Sequence, residues 1–128
     1  MSTPAIRDFR PFLGYTPEDW PVARRFYKEL GFKENWALDT ICEIDTGIGH
    51  RFLSAQHIGY DRKIAGMVQF WVESVDDWWA HIEPLKLEDS YPGVKVAAPS
   101  ITSWDWKMIF IWDPGGWLLH IGHPRDQV

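Results

Sequence analysis

Apolar positions recur at two different spacings along the chain, and the switch between them maps its elements. Val22, Phe26, Tyr27 and Leu30 keep helical spacing and predict one helix over about 17–30. Thr16 suits its cap, Pro17 its first position, and Glu18 and Asp19 the positive end of its dipole. Gly31 supplies the stop. Residues 9–15 (FRPFLGY) read as a short strand ahead of it, with Pro11 setting the start at an edge or an end. Residues 32–36, 40–45 and 50–56 read as three strands after it. In the last, His50, Phe52 and Ser54 share one face, and Arg51, Leu53 and Ala55 the other. His57 falls at its end, and 59–65 is a polar connector.

The order then repeats. Residues 66–73 (GMVQFWVE) form a strand, and Ser74 followed by Asp77 resembles a capping box. Val75, Trp78, Trp79, Ile82 and Leu85 return to helical spacing, and Pro84 kinks or ends that helix. Tyr91-Pro92-Gly93 is a turn. The last strands are 94–98, 104–112 and 117–121. This predicts an α+β domain over 1–128, built from two βαβββ modules at about 9–58 and 66–122. A curved, cup-shaped mixed sheet would carry its helices on the outer face.

Composition narrows the function classes. The 128 residues include nine Trp, enough either to fill a core or to line a pocket with flat faces. The formal net charge of −5 argues against nucleic-acid binding and is permissive for a cationic ligand. No apolar run is long enough to span a membrane, and the first residues lack the pattern of a secretory signal. Cys42 is alone, in the apolar-alternating run Ile41-Cys42-Glu43-Ile44, and reads as a buried, inert thiol. A cytoplasmic location is expected.

Three segments carry a family resemblance. Residues 23–32 (ARRFYKELGF), 68–76 (VQFWVESVD) and 113–121 (DPGGWLLHI) are similar, in this order, to segments of the vicinal-oxygen-chelate superfamily. That superfamily holds glyoxalases, extradiol dioxygenases and bleomycin-resistance proteins. Trp104, nine residues before Asp113, makes the bleomycin-resistance type the nearer likeness. The resemblance implies a homodimer with clefts shared between subunits. It also implies four metal-ligand positions in the enzymes, which carry over to Phe12, Leu53 or Ser54, Met67 and His120. Phe and Leu offer no donor atom, Met suits soft copper, and one His cannot hold a divalent ion. Gln56 and Gln69 beside His120 would make a neutral, weak set. No metal and no other cofactor is expected.

The family orientation would turn Met67, Gln69, Trp71, Trp104, Trp106, Met108, Phe110 and His120 into an aromatic cup. Gln69, His120 and Ser54 would be its polar handles. His120 is either a hydrogen-bonded interior imidazole or a donor or base aimed at a ligand. His81 reads as a helix-surface residue and His123 as a solvated tail residue. Asp105 and Lys107 should face away from the cup into solvent. The expected function is sequestration of a planar or cationic molecule, bleomycin-type or another, without turnover and in an antibiotic-resistance role. The alternatives are a metal-dependent lyase, isomerase or dioxygenase, and a metal-free enzyme using His120 as base.

Overall fold

The structure, a computed structural model, describes residues 3–56 and 66–127. His57 and the 59–65 connector lie outside the described residues.

The first module runs β1 (Phe12–Tyr15), α1 (Asp19–Leu30), β2 (Lys33–Ala37), β3 (Ile41–Asp45) and β4 (Arg51–Gln56). The second runs β5 (Met67–Trp71), α2 (Val75–Ile82), a 3-10 turn (Glu83–Leu85), α3 (Leu87–Ser90), β6 (Lys95–Ile101), β7 (Trp106–Trp112) and β8 (Leu118–Pro124). Among the described residues the strands form two four-stranded sheets, ordered β1-β4-β3-β2 and β5-β8-β7-β6. In each the first strand lies parallel to the last, and the other pairs are antiparallel. The βαβββ pattern therefore appears twice. No helix is long and apolar enough to cross a membrane among the described residues.

The caps follow the expected chemistry. Thr16 Oγ1 accepts from the Asp19 amide at 3.2 Å, although the helix begins only at Asp19. Gly31 ends α1 at φ 115°, a left-handed conformation that glycine enters freely. Ser74 Oγ accepts from the Asp77 amide at 3.1 Å and starts α2.

Four expectations need correction. β6 continues past Ala98 because it is an edge strand, where Pro99 costs no ladder bond and sits at a register shift. β8 runs to Pro124, so His123 is a buried strand residue paired with Lys107, not a tail residue. Trp104 is not in β7. It lies in a tight turn closed by Thr102 and Trp106, with Asp105 at φ 61°, a conformation Asp tolerates better than most residues. Lys107 is not simply solvated, since it donates to Asp76 Oδ1 at 2.7 Å. The short α3, which buries Leu87, lies within a span too brief for periodicity to show.

One buried cluster takes side chains from both modules, among them Leu13, Phe26 and Ile44 from the first and Val75, Ile109 and Leu119 from the second. Phe70 meets Phe32 at 5.5 Å and Phe52 at 6.4 Å between ring centroids. His81, exposed on α2, bonds the Leu30 carbonyl through Nε2 at 2.7 Å. The Asp113 carboxylate is the polar joint. It accepts from Tyr15 Oη at 2.6 Å and Tyr27 Oη at 2.7 Å, and from the Gly115 and Trp117 amides at 2.8 and 2.9 Å. Burial raises the acid's pKa, and the four donors oppose that rise. Both tyrosines are pushed well above their ordinary range, by burial first, and so stay protonated donors. A Cβ on Gly115 would stand 2.3 Å from the Tyr15 ring, so the Asp-Pro-Gly-Gly turn closes only with glycine there. Cys42 is buried, and burial raises its thiol to about 11, which keeps it unreactive.

Candidate functional site

Each sheet presents one face to its helix and leaves the other open. In module two, register sets the open face row by row. Met67 lies beside Leu118 and Trp112, Gln69 beside His120 and Phe110, and Trp71 beside Gly122 and Met108. Trp71 and Trp106 meet edge to face at 5.1 Å across Gly122. A Cβ on Gly122 would stand 2.5 Å from both Met108 Sδ and the Lys107 carbonyl oxygen. Its bare Cα leaves room for the Met108 side chain, which is fully buried. Trp71 Nε1 donates to Gln127 Oε1 at 2.6 Å, and Gln127 Nε2 donates back to the Val72 and Glu73 carbonyls. That strap fixes the indole while leaving Trp71 63% exposed.

His120 is half-buried on this face, with the Phe110 ring at 5.0 Å. Its Nε2 is covered and has no hydrogen-bond partner among the described residues. Burial lowers its pKa, so the neutral imidazole dominates near pH 7.

Module one's open face is different. Glu43, opposite Leu53, is buried under polar partners. It accepts from Arg10 Nη1 at 2.6 Å and Asn35 Nδ2 at 3.0 Å, with Arg51 Nη1 at 3.8 Å. Arg51 and Arg10 also reach Asp8, at 3.0 and 3.4 Å. The Asn35 hydrogen bond, helped by the two guanidiniums, holds the Glu43 carboxyl below its usual range.

A cleft of about 510 Å³ separates module one's β3–β4 turn from module two's β5 and the start of α2. Phe32, Thr46, His50, Phe70, Glu73, Asp77 and Trp78 line it, and Gln69 and Trp71 border it from β5.

No protein-family model and no curated protein matches the chain. Solved structures do. A bleomycin resistance determinant encoded on the transposon Tn5 has a TM-score of 0.71 at 18% identity, over 91% of this chain and 98% of that one. A bleomycin-binding protein complexed with bleomycin has a TM-score of 0.71 at 19% identity, over 92% and 98%. Lactoylglutathione lyase from Agrobacterium tumefaciens has a TM-score of 0.68 at 17% identity, over 96% and 97%. The chain has the vicinal-oxygen-chelate fold. At these identities the likeness is one of fold, and one scaffold hosts many sites.

The metal positions of the vicinal-oxygen-chelate enzymes can be tested against the register. Phe12 pairs with Leu53, so of Leu53 and Ser54 it is Leu53 that shares the open face with Phe12. Ser54 is not a polar handle of the cup. It points to the helix side, fully buried, and accepts from Trp20 Nε1 at 3.1 Å. Phe12, Leu53 and Met67 supply no hard donor, and among the described residues no three of His, Cys, Asp and Glu converge. Across the register His120 has the neutral Gln69 beside it. This donor set does not fit a divalent ion.

Of the expected site residues, Met67, Gln69, Trp71, Trp106, Phe110 and His120 come together on the open face. Met108 supports it from below, and Trp104 stands off in its turn, 54% exposed. Sequence reading missed Gln127, which holds Trp71 from 56 residues away, and it missed the cleft. Nothing near Gln127 in the chain signals that contact.

Proposed function

We propose that this chain binds a planar or cationic organic molecule on the aromatic face of module two and holds it without turnover. The observation that carries this is the Trp71–Trp106 pair, open to solvent, beside His120, whose Nε2 has no hydrogen-bond partner among the described residues. Rings give a flat ligand stacking area at low entropic cost, and the half-buried imidazole edge gives it orientation. The neighbours named for bleomycin binding support a bleomycin-type compound as the first ligand to try, with an antibiotic-resistance role. The unsuitable metal positions support binding over metal chemistry. The chain works as one domain and as a homodimer with ligand clefts shared between copies. Exposed Phe12 and Trp112 are surfaces a second copy would cover. The buried free thiol of Cys42 accords with the cytoplasm.

A thermal-shift screen of flat and cationic compounds tests the reading, with elemental analysis of protein purified without added metal. A ligand should raise the melting midpoint, by about 2.7 kcal/mol of stabilisation at a hundredfold excess over Kd, and no stoichiometric divalent ion should co-purify. A bound divalent ion with two or more protein ligands would favour a lyase or dioxygenase instead. Size-exclusion chromatography with light scattering should give the dimer mass.

A further inference from the structure

The inter-module cleft has a chemistry that the open face lacks. Four rings border it, Phe32, Phe70, Trp71 and Trp78, and two carboxylates, Glu73 and Asp77. Among the described residues no Lys or Arg lines it, and its one basic side chain is the His50 imidazole. Two acids nearby in sequence or buried on the other module have a cation beside them. Asp76, next to Asp77, pairs with Lys107 at 2.7 Å, and Glu43 pairs with Arg10 at 2.6 Å. Glu73 and Asp77 have no side-chain hydrogen bond or ion pair among the described residues. The start of α2 gives Asp77 a favourable place near the helix dipole, but Glu73 lies before the cap and gains nothing from it.

We propose that this cleft is a recognition site for an organic cation, an ammonium group carried on an apolar body. The rings take the apolar body and attract the cation through their faces, and Glu73 and Asp77 balance its charge. About 510 Å³ lies within the size range of small-molecule pockets. The net charge of −5 raises the local concentration of such a ligand. The site stands independently of ligand binding on the open face, although Trp71 and Gln69 border both.

Isothermal titration with benzyltrimethylammonium and with neutral benzyl alcohol tests it, on the full chain. The wild type should bind the cation at least about tenfold more tightly than the alcohol. The double variant Glu73→Gln/Asp77→Asn should lose about tenfold in affinity for the cation and keep its affinity for the alcohol. Both substitutions are isosteric and exposed, and the Ser74 cap uses only the Asp77 backbone amide, so the fold is retained. Phe110→Ala, on the open face with ring contacts to His120 and Trp112 and none to Trp71, should bind the cation as the wild type does. No saturable cation binding, equal affinity for cation and alcohol, or an unaffected double variant would overturn the proposal. Loss in Phe110→Ala alone would move the cation to the open face and overturn it equally. The open-face reading fails on different data, namely flat-ligand binding.

Discussion

The two modules share a βαβββ topology and differ in what their open faces do with polar groups. Module one spends its charges on itself. Glu43 is enclosed by Arg10, Asn35 and Arg51, and Asp8 takes the remaining reach of both arginines. Module two leaves rings exposed, and the covered Nε2 of His120 has no partner among the described residues. A face whose donors and acceptors are already matched gains little from a ligand. A face with open apolar area and no competing ion pairs gains burial. Topology repeats in this molecule, but binding chemistry does not.

That contrast can be broken from either side. The largest effect is expected from Gly122→Ala, whose new Cβ has no room against Met108 Sδ and the Lys107 carbonyl. Urea unfolding should show a loss of about 3 kcal/mol. The displaced Met108 should also disturb the Trp71–Trp106 pair, visible as altered near-ultraviolet circular dichroism. Glu43→Ala on the other face should cost about 2 kcal/mol, because half-exposed arginines lose a buried partner yet still reach water.

The smallest effects are in pH dependence, and they separate the faces by window. Burial lowers the His120 pKa below the ordinary 6.5, so the unfolded chain takes up that proton first. Stability therefore declines as pH falls through 6.5, and this decline ends once the folded imidazole is charged too. Glu43 is lowered from 4.5, so its contribution is present above 4.5 and lost as pH falls through the folded value. His120→Gln should remove the first slope and Glu43→Gln the second, as read from thermal midpoints across pH. Exchange of the two effects between variants would contradict the assignment of groups to faces.

Elements with strong local signals were legible in the chain. The spacing of Val22, Phe26, Tyr27 and Leu30, with Thr16 before and Gly31 after, marks α1 because helix caps and periodicity are local physics. Ser74 and Pro84 mark α2 for the same reason. What failed was decided by tertiary neighbours. The last strand, expected over 117–121, continues through Gly122 to Pro124 because β5 and β7 both pair with it there. Trp104 continues the alternation of β7, yet Asp105 turns the chain before it can join. Leu53 and Ser54 could not be told apart until β1 fixed their register. The cleft arises where residues 46–50 and 69–78 meet, and neither segment carries a motif.

The most direct measurement is a tryptophan-fluorescence titration with bleomycin on the wild type, Trp106→Ala and Glu43→Gln. Saturable quenching is predicted for the wild type. Affinity should fall about tenfold or more in Trp106→Ala, which loses a stacking ring, and should stay within about twofold in Glu43→Gln, whose carboxyl lies beneath its own partners. No saturable quenching in the wild type, or equal affinity in Trp106→Ala, would contradict binding on the aromatic face of module two.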